Sequence, residues 1–319
     1  MGRFNDRLQA QWDQGKFVCV GLDPDISKIS RLVDMAQYGV NYPGDQTVIE
    51  EYLVDIVDAT HDVVCSYKPN WAFFLRYGAR GLEVLEQVVG YIRRQHPEVV
   101  IILDAKVADI GNTNLGYAQY AYGVLDVDAV TVHPYMGCVA MEPFLREADR
   151  GAIVLVRTSN PGADELQDRR VIIEGYAEAV ALNIPSAVSA YMNGYDQPKV
   201  PLYQYLVGSV QSNWNYNGNC AVVVGATVPD ELRVVRGLVG DNIPILIPGV
   251  GAQGGDLATA VRNGVNSRGD GFVINASRSV LYADTVDGQS FAEAARAEVV
   301  RMNEVIRQTL FVPPPGNDL

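Results

Sequence analysis

The segment Leu103-Asp104-Ala105-Lys106-Val107-Ala108-Asp109 sets a lysine between two aspartates at the end of an apolar run, 99–104. Asp104 and Lys106 are two residues apart, so an extended backbone turns both side chains to one side. Asp109 lies just beyond, within reach of the same mouth if the chain turns at Ala108. Nearby opposite charges favour a lysine's charged form. An ammonium held in that way is a poor Schiff-base nucleophile. It suits stabilisation of a developing carbanion, followed by delivery of a proton to it. A plain salt-bridge cluster closing a barrel end would use the same residues, and the spacing alone leaves both readings open.

A second group of residues suits an anion. Pro248-Gly249-Val250-Gly251-Ala252-Gln253-Gly254-Gly255-Asp256 is a glycine-dense loop running into a helical stretch. Exposed backbone N–H groups on Gly249, Gly251 and Gly254, with a helix N-terminus beside them, would favour a phosphate. Asn275-Ala276-Ser277-Arg278-Ser279 then adds a guanidinium for the same anion. Turn geometry alone would also explain the glycines. Other polar residues punctuate the ends of apolar runs: Asp23, Lys68, His133, Thr158, Ser159, Gln253 and Asn275. Lysine is scarce, five residues in all, yet Lys68 and Lys106 both fall at such ends. His133, before Pro134, reads as a strand-end structural group, and His61 and His96 receive no role. No His/Cys/carboxylate spacing suggests a metal, no Ser-His-Asp arrangement stands out, and no GxGxxG follows an early strand. Neither metal nor organic cofactor is expected.

Charged groups at so many strand ends need a frame that gathers them. The strands expected are 17–22, 63–68, 99–104, 129–133, 152–157, 221–224, 243–247 and 271–274. They are rich in Val and Ile, and several are apolar on both faces, as parallel strands covered on both sides must be. Helical patterns separate them, for example 81–94, 229–238, 256–263 and 291–310. This alternation predicts an α/β fold, the closed (β/α)8 TIM barrel, with an open doubly wound sheet as the rival. Barrels place their chemistry at the C-terminal strand ends and hold phosphate after strands seven and eight, where the two anion-binding segments fall. Two connections exceed the pattern. Residues 27–45 look irregular. Residues 160–219 carry a helical insertion, about 164–219, after the fifth strand; it lacks strand periodicity. The expected organisation is a single barrel domain over 1–312 and a solvated tail at 313–319.

Composition bounds the function. Of 319 residues 48% are hydrophobic, and the formal charge of −13 argues against a nucleic-acid or membrane-surface binder. The polar N-terminal stretch lacks the apolar core of a secretory signal, and no apolar run approaches the roughly 20 residues that span a bilayer. Four scattered cysteines give neither zinc spacing nor a disulfide framework, so a cytoplasmic location is the default.

The chain resembles the orotidine 5′-phosphate decarboxylase family in its longer bacterial-type form. The resemblance runs through GLDPD (21–25), SYKPN (66–70), LDAKVADIGNT (103–113), RTSNPGA (157–163), PGVGAQGGD (248–256) and INASRSVLYA (274–283). It implies decarboxylation of orotidine 5′-phosphate to uridine 5′-phosphate (UMP), the last step of de novo pyrimidine nucleotide synthesis, without a cofactor. By that resemblance Lys106 is the proton donor to C6, Asp104 stands beside the substrate carboxylate and Lys68 completes the charged array. Asp109 and Thr113 would enter the site of a second subunit, making a homodimer. Asp23 would contact the ribose, Ser159 the pyrimidine, and Gln253 and Arg278 the phosphate. Val107 and Ala108 depart from the family's usual residues, and the insertion receives no roles. Two other readings stand beside this one: a Mg²⁺-dependent sugar-phosphate barrel that forms an enediolate on the same DxKxxD frame, and a non-catalytic nucleotide-binding barrel.

Overall fold

The computed structural model describes residues 3–33, 47–251 and 253–311. All eight expected strands form, and they close into one parallel barrel. In chain order they are β1 (Val18–Leu22), β2 (Ser66–Pro69), β3 (Val100–Val107), β4 (Ala129–Val132) and β5 (Gly151–Arg157). After a short hairpin, β6 (Arg170–Ile172) and β7 (Lys199–Pro201), come β8 (Cys220–Val224), β9 (Ile245–Ile247) and β10 (Phe272–Ala276). The barrel order is β1-β10-β9-β8-β5-β4-β3-β2, with β1 pairing both β2 and β10. Runs such as Cys-Ala-Val-Val-Val in β8 are buried at every position, because side chains on one face fill the barrel and those on the other meet the helices. The doubly wound alternative is excluded by this closure.

The helices earn their places by spacing. Gly78–Gln95 buries Gly81, Val84, Leu85, Val88, Val89 and Ile92, an i, i+3, i+4 stripe that leaves Arg80, Glu83, Glu86 and Arg94 exposed. Phe291–Phe311 buries Ala294, Ala295, Val299, Met302 and Ile306 in the same way. Its Asn303 accepts the Phe17 N–H at 3.1 Å and donates to the Val63 carbonyl at 2.8 Å, fixing the entries to β1 and β2. The polar opening stretch forms a helix, Phe4–Trp12, whose Phe4, Leu8 and Trp12 are buried. No helix among the described residues is long and apolar enough to cross a membrane.

Two expectations change. Part of the segment expected to be irregular is helical: Ile26–Leu32 begins at Asp25, whose side chain accepts the Ser27 N–H at 3.1 Å. Residues 34–45 of that segment, and the tail expected at 313–319, lie outside the described residues. The insertion is also not purely helical, since β6 and β7 pair antiparallel within it. Each of those strands has three residues, too few for an alternating pattern to register in sequence. The insertion carries its own small core of Ile173, Ala179, Leu182, Ile184, Ala187 and Val200.

Candidate active site

The C-terminal ends of the barrel strands surround a cavity of about 980 Å³, lined among others by Asp23, Lys68, Asp104, Lys106, Ser159 and Arg278. Asp104, on β3, is its electrostatic pivot. Its Oδ2 accepts from Lys68 Nζ at 2.8 Å and from Asn70 Nδ2 at 3.4 Å. Its Oδ1 accepts from Lys106 Nζ at 2.6 Å and from Thr131 Oγ1 at 2.9 Å. Burial by itself would raise the Asp104 pKa, but Lys68 and Lys106 outweigh it and hold the carboxyl well below the usual carboxylate range. Burial likewise opposes the charge on Lys68, yet Asp104 and Asp23 keep its pKa above the ordinary lysine value. Asp104 and Lys68 therefore hold their charges across the neutral range.

The two lysines differ in solvent contact. The Lys68 side chain is 4% exposed, and that of Lys106 is 50% exposed. Lys68 is thus a fixed internal charge, while Lys106 reaches from the wall into the open cavity. The i, i+2 expectation is met, but not by a regular strand. The β3–β4 register shifts between Leu103 and Val107, and Lys106 has a φ of 51°. A non-glycine residue in this left-handed region costs roughly 1–3 kcal/mol and persists where its surroundings over-determine it. Here they do: Thr131 Oγ1 accepts the Lys106 N–H at 3.0 Å while donating to Asp104.

Asp109 and Thr113 stand elsewhere. Neither lines the cavity of its own chain, and Lys106 meets one carboxylate here, Asp104, in place of the two expected. The exposed Asp109 accepts the N–H of Ile110. Buried Asn114 grips the backbone of Asp109 from both sides, accepting its N–H and donating to its carbonyl, each at 2.7 Å. The segment is held firmly, but away from this chain's cavity.

On the anion side, Gly249, Gln253, Asn275, Ser277, Arg278 and Ser279 line the cavity together. Ser159 Oγ donates to Gln253 Oε1 at 2.7 Å, joining the loop after β5 to the glycine loop. Gly249 sits at φ 95°, and a Cβ there would lie 3.0 Å from Ser159 Cβ, so both conformation and space favour glycine. Of the three N–H groups expected to face an anion, those of Gly251 and Gly254 are engaged within the loop. They and the Gly255 N–H donate to carbonyls there, and Gly251 and Gly254 do not line the cavity. The following helix, Leu257–Gly264, is capped by its own Asp256, which accepts the Thr259 N–H at 2.8 Å. Gln253 and Arg278 bring side-chain donors to the same wall.

Several lining residues carry no sequence-based role. Asn70 and Thr131 complete the shell of Asp104; a threonine buried in the apolar strand Ala-Val-Thr-Val was the available signal. Tyr282 Oη donates to the Asp23 carbonyl at 3.1 Å and accepts the Asp25 N–H at 2.8 Å, fastening the loop after β1 to that after β10. Asp23 keeps a buried Oδ1 without a hydrogen-bond partner, a ready acceptor for a ligand hydroxyl. His133 does not line the cavity. Among the described residues, His61, His96 and Glu98 form a group able to offer three ligand atoms to a metal. These residues precede β2 and β3, at the end of the barrel opposite the lysines.

Residues 16–294 match the model of the Orotidine 5′-phosphate decarboxylase / HUMPS family. The Janthinobacterium sp. (strain Marseille) protein named orotidine 5′-phosphate decarboxylase is 40% identical over 96% of this chain and 98% of its own. That of Cellvibrio japonicus is 39% identical over 95% and 97%. The structure of Leishmania donovani OMP decarboxylase superposes with a TM-score of 0.74 at 30% identity, covering 98% of this chain and all of that one. With the motifs, the barrel and the near full-length relatives in agreement, the chain belongs to the orotidine 5′-phosphate decarboxylase / HUMPS family.

Proposed function

We propose that the chain converts orotidine 5′-phosphate to UMP and carbon dioxide, the step that closes de novo pyrimidine nucleotide synthesis. The observation that carries this reading is the alternating array Lys68–Asp104–Lys106, set at strand ends beside donors for a phosphate. The bond from C6 to the carboxylate breaks, the electron pair stays on C6, and carbon dioxide departs. Lys106 Nζ then gives C6 a proton and regains one from solvent, to which it is half open. A compact ammonium attracts the localised C6 anion more strongly than the delocalised carboxylate it replaces. That difference between states is what lowers a barrier. Asp104 orients the ammonium, and its negative charge beside the substrate carboxylate disfavours the ground state.

The phosphate end supplies binding energy remote from C6. Gln253 and Arg278 are assigned to it, Asp23 to the ribose and Ser159 to the pyrimidine. Arg278→Ala is expected to raise KM for orotidine 5′-phosphate by roughly 10–100-fold, the loss of a charge-assisted contact of about 1.5–3 kcal/mol. Initial-rate kinetics check this, and an unchanged KM removes Arg278 from the phosphate site.

Asp109 and Thr113 are assigned to the cavity of a second copy of the chain. Their outward placement supports this, as do the exposed apolar residues nearby: Ile110 (59% exposed), Tyr135 (79%) and Val139 (90%). The exposed faces would then meet in a homodimer.

A Mg²⁺-dependent enediolate reaction on the same frame remains the second reading, because the family description spans two groups. One assay separates them. Purified protein given orotidine 5′-phosphate in excess EDTA is expected to lower the substrate's absorbance at an undiminished rate. Activity that vanishes with the chelator and returns with Mg²⁺ would overturn the proposal.

A further inference from the structure

The insertion lines the cavity with Gln167, the last residue of the short helix Asp164–Gln167, and Asp168 follows directly. Gln167 holds one residue of the loop after β5 at two points. Its Oε1 accepts the Thr158 N–H at 2.8 Å, and its Nε2 donates to Thr158 Oγ1 at 3.0 Å. Thr158 Oγ1 in turn donates to Asn160 Oδ1 at 2.7 Å. Asp168 holds the residue before. It takes the buried Arg157 guanidinium through two parallel bonds, Nε to Oδ1 at 2.8 Å and Nη2 to Oδ2 at 3.0 Å. The remaining arm of Arg157 donates to the Thr158 carbonyl at 3.0 Å.

These contacts converge on a loop that leaves the barrel at an irregular point. The β5–β8 register shifts between Leu155 and Arg157, so the ladder is already irregular where the loop begins. Ser159 nevertheless sits against Gly225, where a Cβ would lie 2.7 Å from the Ser159 Cα, and bonds Gln253 on its far side. A loop packed this closely has little room for displacement. Its alignment along the chain is shared between Thr227, whose Oγ1 donates to the Ser159 carbonyl at 3.3 Å, and the donors and acceptors that the insertion supplies.

We propose that Gln167 and Asp168 are positioning residues, and that the insertion serves to hold the base-facing loop Thr158-Ser159-Asn160 at the cavity wall. This rests on the decarboxylase reading, in which Ser159 meets the pyrimidine. Misplacing such a contact by about 1 Å is enough to cost up to roughly 100-fold. The effect falls mainly on the base end of the ligand and reaches the phosphate end through the Ser159–Gln253 bond.

The test compares two ligands in the full chain. Gln167→Ala is expected to weaken UMP about tenfold, by calorimetric titration. Inhibition by ribose 5-phosphate, which lacks the base, should stay within about twofold of wild type. Gln167→Glu keeps the acceptor for the Thr158 N–H and should recover most of the UMP affinity. Asp168→Asn, which gives up one of the two parallel bonds, should weaken UMP in the same selective way. Unchanged UMP affinity in Gln167→Ala, or equal weakening of both ligands, overturns the positioning role while wild-type turnover stands. Wild-type protein that neither turns over orotidine 5′-phosphate nor binds UMP overturns the decarboxylase reading, and this proposal with it.

Discussion

Lys106→Ala is expected to lower kcat on orotidine 5′-phosphate by roughly 10⁴-fold or more, while UMP still binds. Two losses combine in that figure. A positioned proton donor contributes about 10²–10⁴, and a preorganised charge at the site of developing anion about 10²–10³. Binding survives because the phosphate donors and the ribose acceptor Asp23 follow other strands, and Lys68, Asn70 and Thr131 still satisfy Asp104 after the truncation. The backbone gives a second handle. At φ 51° alanine keeps the strain that lysine bears, whereas glycine does not. Lys106→Gly should therefore be as inactive as Lys106→Ala but melt higher, by a difference worth about 1 kcal/mol. Single-turnover assays and thermal melts read the two effects separately. Near-normal turnover by either variant would end the assignment of Lys106.

That backbone strain marks where sequence reasoning stopped. The spacing of Asp104 and Lys106 was legible, because a two-residue separation in a strand end brings side chains together under almost any local geometry. The left-handed turn at Lys106 was not, since it depends on Thr131, 25 residues onward and identifiable as a partner only once β3 and β4 pair. The eight barrel strands were legible for a related reason: Val/Ile-rich runs buried on both faces announce themselves locally. A three-residue strand such as β6 exists only through β7, 27 residues later at the closest pair, Ile172 and Lys199, and announces nothing. The glycine loop gives a third case. Composition identified it as an anion-binding candidate, but whether its N–H groups face a ligand or its own carbonyls is decided by the loop's closure on itself. The structure gives those of Gly251 and Gly254 to the loop. Asp109 is the counterpart in the opposite direction. Sequence proximity suggested a second carboxylate for Lys106 within one chain, and the Asn114 clamp turns it outward.

Asp104→Ala is expected to abolish turnover and also to destabilise the protein by about 3–5 kcal/mol, as removal of one partner from a buried ion pair does. The Lys68 ammonium, 4% exposed, would be left without its carboxylate. The two effects have separate origins and part company in a double variant. Asp104→Ala with Lys68→Met removes both charges and leaves an apolar chain of similar length, so it should regain most of the lost stability and none of the activity. Denaturant unfolding at neutral pH measures this directly. A double variant no more stable than Asp104→Ala would show that the buried charge is not the source of the loss. The pH dependence follows from the directions of the two shifts. The Asp104 pKa is depressed in the folded state, so its contribution is complete above the unfolded value of about 3.9 and is lost as pH falls. The Lys68 pKa is raised, so its contribution is complete below about 10.4 and is lost as pH climbs toward the folded value. The stability gap between wild type and the double variant should therefore stay flat from about pH 5 to pH 9 and turn against wild type below about pH 4. A gap that slopes through neutrality would mean that some other group, and not this pair, titrates with folding.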